Sequence, residues 1–189
     1  DTAAMTRENL RDKAGNFLEL FTVLSVGFVL LASEVYRYVY VSRDFWGSTM
    51  LIPIFVSSYY TNFLCTFPVN FEYYHKKTKV VSIITIVSSL INVGLNYLLI
   101  LRIGMAGAAV ATLISHSLQL TLHYLYVRFA LGGKEYPFPL KMWVGYAAVF
   151  AAVAVASVAA DGLWLARWGL GAAIGLWELL RIRKRKVLI

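Results

Sequence analysis

Within long apolar runs this chain carries a few polar side chains at helical spacing. Asn92 and Asn96 stand four residues apart, and Thr85 and Ser88 or Ser89 continue the same face upstream. Side chains three and four residues apart share one side of a helix. Asn62 and Asn70, with Tyr59 and Tyr60, make a second polar and aromatic set. Ser115, His116, Gln119 and His123 make a third, in which the last three share a face. Glu19 and Glu34 are single carboxylates in an apolar stretch, and Lys76, Lys77 and Lys79 cluster between two such stretches. These residue types can hydrogen-bond a polar ligand, exchange a proton or cation, and attract an anion. In hydrocarbon each one is costly: an Asp at a helix centre costs about 2.5–3.5 kcal/mol on insertion scales. Each group is therefore expected to face protein or a wet cavity, or to sit at the membrane interface. The plainer readings are interhelical hydrogen bonding for Asn92 and Asn96, packing or the aromatic belt for Asn62 and Asn70, and an interfacial place for Glu34. The lysines are explained by topology. Glu19 and Glu34 are the candidates for coupling cation movement.

Nothing here points to catalysis. The chain has no Gly-rich phosphate loop followed by lysine, no Ser/His/Asp set in a supporting context and no paired carboxylates. A metal site is not expected either, because the three histidines have no Cys or carboxylate at ligand spacing. The expectation is a protein that is not an enzyme and holds no cofactor and no metal.

The elements that position these groups follow from composition. The chain is 59% hydrophobic and 15% charged, with a mean hydropathy of +0.66, whereas soluble domains carry about 25% charged residues. That is the composition of an integral membrane protein. The lone Cys65 leaves no disulfide to form within the chain. The net charge of +8 is spread between hydrophobic spans rather than over one soluble face, so nucleic acid is not an expected partner. The chain opens at Asp1 with a polar lead, 1–14, that has no signal-peptide pattern. We expect a processed product or a piece of a longer protein.

Six spans near the roughly 20 residues needed to cross the hydrocarbon core are expected. They cover about 17–36, 45–68, 80–101, 105–127, 140–160 and 163–180, within a membrane domain at 15–181 and before a basic tail at 182–189. Pro53 and Pro68 are expected to interrupt or end the second span, and Asp161-Gly162 to turn the chain before the sixth. Spans three and four read as a tight hairpin turning at Arg102-Ile103-Gly104. Gly104, Gly107, Ala108, Ala111, Thr112 and Ser115 form a small-residue ridge that lets two backbones approach closely. Gly171 and Gly175 in the last span read as helix packing, with a role open in contact to a lobe or second copy. With these spans, fourteen of the eighteen Lys and Arg residues fall on one side. Only Arg37, Arg43, Arg102 and Arg167 fall on the other. The positive-inside rule then places both ends of this segment in the cytoplasm, and the basic tail against anionic membrane lipids.

Three stretches carry a family resemblance. They are Tyr73-Tyr74-His75-Lys76-Lys77-Thr78-Lys79, then Asn92-x-x-x-Asn96-Tyr97-Leu98-Leu99-Ile100, then Gly104-x-x-Gly107-Ala108-Ala109-x-Ala111-Thr112-x-Ile114-Ser115. In order and spacing they resemble Wzx-type flippases of lipid-linked oligosaccharides, within the superfamily that also holds multidrug exporters. The match covers about 46–127; Glu34 with the following Phe45-Trp46 fits more loosely. The resemblance implies an all-α polytopic fold of six transmembrane helices, one lobe (the C-terminal one) of a two-lobe transporter in the bacterial or archaeal cytoplasmic membrane. The other lobe, or a second copy, would be its partner. It implies as cargo an undecaprenyl-pyrophosphate-linked glycan, moved by alternating access. Asn62, Asn70, Asn92, Asn96, His116 and Gln119 would then meet the substrate in the cavity, and Lys76 and Lys77 would capture its diphosphate. Arg37 and Arg43 would meet the diphosphate or glycan on the outer side, unless they contact headgroups only. The alternatives are a cation-coupled multidrug exporter, dependent on a carboxylate such as Glu19, and a membrane component of a glycosyltransferase or polymerase system.

Overall fold

Where no water reaches the backbone, its polar groups must be satisfied within the segment, and an apolar run of this length does so as a helix. Among the described residues the chain accordingly forms six helices: α1 (Thr2–Val35), α2 (Ile52–Tyr74), α3 (Thr78–Ile103), α4 (Met105–Phe129), α5 (Leu140–Ala159) and α6 (Trp164–Arg185). This is a computed structural model, and it describes residues 2–36, 38, 48–132, 136–159 and 163–185, with no strand among them. Arg37, Arg43, Phe45, Trp46, Lys134, Asp161-Gly162 and the end of the basic tail lie outside the described residues. Four segments are long and apolar enough to cross a membrane: Asn9–Val35, Ser48–Tyr74, Thr78–Ile103 and Met105–Phe129. The fold is all-α and polytopic.

Six spans were expected, and these four correspond to the first four of them. In α5 the described apolar stretch is the shorter Trp143–Ala159. Helix α6 carries Arg167, Glu178 and Arg181 within its length. Two boundaries also move. Helix α1 begins at Thr2, so the polar lead is not separated from the first span by a break. Helix α2 runs through Pro68 to Tyr74 instead of ending there. A proline costs a helix one N–H donor and crowds the carbonyl four residues back. Membrane helices tolerate it because neighbouring groups take up the freed carbonyl, and Pro68 is fully buried in packing. The consequence is that Glu72 belongs to the helix and not to a loop.

Contacts divide the chain into two compact units, Ile54–Trp143 with Asp1–Glu8, and Asn9–Pro53 with Val144–Ile189. In the first, α3 and α4 form the expected hairpin. Gly104 turns the chain at φ 62°, its N–H donating to Ile100 O at 2.9 Å. Gly107, Ala111 and Ser115 are buried along the seam. A Cβ on Gly107 would overlap the backbone carbonyl of Leu99, so the two backbones touch here. The rest of α3 is a broad exposed surface of Ile, Val and Leu, as a lipid-facing helix requires.

The α2–α3 connection is tight. Lys77 N–H donates to Glu72 O and Lys76 N–H to Tyr73 O, both at 2.9 Å. This is the paired 6→1 and 5→2 bonding of a Schellman cap, which puts Lys76 at φ 57°. Glycine is the usual occupant, since a left-handed L-residue costs about 1–2 kcal/mol. Lys76→Gly is expected to raise stability by about 1 kcal/mol, read as a higher midpoint of thermal unfolding in detergent. An unchanged or lower midpoint would mean that the lysine makes a compensating contact.

In the second unit α1 packs its Leu18, Glu19, Thr22, Ser25, Val26, Val29, Leu30, Ser33 and Glu34 face inward. The Cβ position of Gly171 on α6 lies 3.7–3.9 Å from Leu30 and Leu31. Gly175 meets no atom and faces an apolar groove of about 910 Å³.

Candidate functional site

Helix α2 has one face unlike any other exposed surface here. Phe55, Tyr59, Asn62, Thr66, Asn70 and Tyr73 recur at three- and four-residue steps, and all six are exposed. The Thr66 hydroxyl donates to Phe63 O at 2.7 Å. Exposed hydroxyls on α4 bond back in the same way, Ser117 to Leu113 O and Thr121 to Ser117 O. A carboxamide has more bonding capacity than a hydroxyl, and Asn62 and Asn70 make no hydrogen bond among the described residues. Leaving an amide unpaired in hydrocarbon costs roughly 2–7 kcal/mol. Two of them on a spanning helix require water, a ligand or another protein surface along that face.

Helix α4 flanks this face. His116 is half-buried, its Nδ1 at 2.9 Å from Ser58 O on α2. A carbonyl only accepts, so Nδ1 carries the proton. The imidazole also lies beside Tyr59, ring centroids 6.4 Å apart. Gln119 is half-buried one turn further on, with no hydrogen bond among the described residues. On the other side of α4, Asn92 Nδ2 donates to Ser115 Oγ at 3.1 Å, and Ser115 donates to Ala111 O. Asn96 Nδ2 donates to Asn92 O and Oδ1, both at 2.9 Å. The two asparagines are thus spent on stapling the hairpin and on each other, which is their plainer reading. The structure brings His116 to the α2 face, and Asn92 and Asn96 to each other and to Ser115. Lys76, Lys77 and Lys79 are exposed at the α2–α3 turn.

Of the two carboxylates, Glu34 faces protein: Arg167 Nη1 donates to its Oε1 at 2.9 Å, and both side chains are 4% exposed. Arg167 also donates from Nη2 to Val29 O at 3.3 Å. Arg167, counted with the outer-side cations, lies in the first turn of α6 and ties that helix to α1. Glu19 is buried on α1.

Two residues of the most buried polar contact escaped the candidate set. His123 Nδ1 lies 2.9 Å and 3.0 Å from the two carboxylate oxygens of Glu72, and both side chains are 0% exposed. His123 was read only as part of the α4 stripe, and Glu72 fell beyond the supposed end of the second span at Pro68. Its signal was available: a single carboxylate in the aromatic run Phe71-Glu72-Tyr73. Around the pair stand Phe67, Phe71, Tyr124, Tyr136, Phe138 and Trp143, mostly edge to face at centroid distances of 5.1–6.0 Å. Tyr136 lies in the segment before α5, and burial pushes its phenol well above the usual range. The ionisable Tyr124, Cys65 and Glu72 add to that shift. It therefore stays protonated. Among the described residues no group of His, Cys, Asp and Glu is arranged to hold a metal ion.

No family model, no curated protein and no solved structure matches this chain.

Proposed function

We propose that this chain is one six-helix lobe of a transporter that moves lipid-linked oligosaccharide across the cytoplasmic membrane for surface polysaccharide biosynthesis. The observation that carries the proposal is the exposed polar and aromatic face of α2, with Asn62 and Asn70 unpaired inside a membrane-spanning helix. A face of amides and tyrosines, flanked by His116 and Gln119, suits a hydrated glycan that must cross hydrocarbon. The cargo itself rests on the resemblance of the segment 46–127 to oligosaccharide flippases. In that arrangement a second lobe, or a second copy, closes the path opposite α2, and transport proceeds by alternating access. Both ends of the segment lie in the cytoplasm, where Lys76 and Lys77 meet the diphosphate. A cation-coupled multidrug exporter is the second reading, favoured by the burial of Glu19.

The test is made in cells lacking the full gene. Lipid-linked oligosaccharides are assayed by leaflet, with a membrane-impermeant sugar-modifying reagent on spheroplasts and inverted vesicles. Intermediates are expected to accumulate facing the cytoplasm while surface polysaccharide disappears. Complementation with Asn62→Leu/Asn70→Leu is expected to leave folded protein in the membrane but cut export by about tenfold or more, the equivalent of roughly 1.4 kcal/mol. Unchanged surface polysaccharide with accumulation of toxic cations would replace the proposal with the exporter, and Glu19→Gln would then be the variant to lose activity.

A further inference from the structure

We infer that Glu72 and His123 form a proton-binding site, with His123 Nε2 as the atom that takes and gives up the proton. The inference rests on the transport reading above and supplies its coupling ion. The carboxylate accepts from His123 through both oxygens, at 2.9 and 3.0 Å, so Nδ1 is the permanently protonated nitrogen. The other ring nitrogen, Nε2, is buried and has no hydrogen-bond partner among the described residues. A buried polar atom without a partner is costly. Here it is also the one open position on a paired group that changes charge readily.

The charge states decide the consequence. With Nε2 bare, the pair is a neutral imidazole on a carboxylate and carries one negative charge at zero exposure. With Nε2 protonated it is an imidazolium–carboxylate pair of no net charge, joined by charge-assisted bonds. An uncompensated charge in a site this dry is strongly disfavoured. The proton therefore leaves only when water reaches the carboxylate, which means that α2 and α4 separate at this level. Proton occupancy and closure of α2 on α4 are linked quantities, each shifting the other equally. Because α2 also carries the Asn62 and Asn70 face, its movement re-presents that face.

Among the described residues no competing cation lies at hydrogen-bond range of the pair. The Glu72 charge reaches Cys65 on its own helix and Tyr136 before α5. Tyr124 lies next to His123 on α4, and the exposed Arg128 lines a pocket of about 320 Å³ together with Tyr124 and Tyr136. His75, beyond Glu72 on the same side of the chain, is held by its own bond to Phe71 O at 3.0 Å. Burial keeps Tyr136 neutral, so it does not replace His123 as partner to the carboxylate.

The test uses the full protein in lipid nanodiscs. Ring nitrogens of the three histidines are labelled with nitrogen-15 and followed by NMR over a pH series, with His123→Gln assigning the signal. As pH falls, His123 is expected to pass from one protonated nitrogen to two. In parallel the lone Cys65, buried on α2, is modified with a small maleimide, each rate divided by that of the unfolded protein at the same pH. The normalised rate is expected to change several-fold across the His123 transition in the wild type, and to stay flat in Glu72→Gln and in His123→Gln. Should these single variants not fold, Glu72→Leu/His123→Leu removes the charge and the orphan atom together and is expected to give the same flat profile. A His123 signal that never changes while the protein is folded, or a Cys65 profile that is the same in the variants, overturns the inference. If the profile follows the pair but oligosaccharide is distributed between leaflets as in wild type in Glu72→Gln, the coupling role is overturned; if deleting the full gene leaves surface polysaccharide unchanged while the profile follows the pair, the oligosaccharide cargo falls and the proton site stands.

Discussion

Arg167→Ala is expected to lower the stability of the α1–α6 unit by about 3–5 kcal/mol, the usual cost of removing one partner from a buried ion pair. Arg167 and Glu34 are each 4% exposed and joined at 2.9 Å. Truncating the arginine leaves a carboxylate with no counter-charge in that packing, and also releases the Val29 carbonyl. Glu34→Ala removes the counter-charge of the buried guanidinium and is expected to cost a similar amount. The attraction within the pair is offset by the desolvation of both groups, so the double variant Glu34→Leu/Arg167→Met is expected to return most of the loss. Midpoints of thermal unfolding in detergent for the four proteins give the double-mutant cycle. Single variants within about 1 kcal/mol of wild type would mean the pair is solvated, as an exposed pair would be.

Gly107→Leu is expected to prevent the hairpin from closing. A Cβ at this position already overlaps the Leu99 carbonyl and the Ile100 nitrogen, and backbone cannot rotate aside as a side-chain tip does. Overpacking costs about 1–3 kcal/mol even where side chains can yield, so Gly107→Ala falls at the top of that range and Gly107→Leu beyond it. Separating the helices also breaks the Asn92–Ser115 bond. The control is Gly94→Ala on the same α3, where an added Cβ meets nothing within 4 Å. That change is expected to be neutral or stabilising by about 0.5–1 kcal/mol. Yield of monodisperse protein and the unfolding midpoint separate the two. Equal behaviour at Gly107 and Gly94 would refute the close approach.

The hairpin was legible in the sequence because its determinants are local: a small-residue ridge, a Gly turn and polar residues on one face. The seam runs through Gly107, Ala111 and Ser115 as the spacing requires. The role of Arg167 was not legible, because a cation near the start of a span reads as a topological charge until its partner 133 residues away is known. Glu72 was lost for a different reason. Pro68 was taken as a stop, a rule that holds where water must satisfy the freed carbonyl and weakens where packing does so. The α2 face stood between these cases. Asn62 and Asn70 were visible as polar groups at helical spacing, but only the fold shows that their face is exposed and that neither amide finds a hydrogen-bond partner among the described residues.

The central claim is that this α2 face borders water inside the membrane. In a Cys65→Ser background, single cysteines replace Tyr59, Asn62, Thr66 and Asn70 on α2. Ile86, Leu90, Val93 and Tyr97 on the exposed surface of α3 are replaced in the same way. Intact cells and inverted vesicles are then treated with a charged, membrane-impermeant thiol reagent, which reacts only where water reaches. Labelling of the α2 positions, with the α3 positions silent, is the predicted result. An α2 face as unreactive as α3 would contradict the account, because Asn62 and Asn70 would then be buried against lipid or protein and no hydrated path would run along this helix.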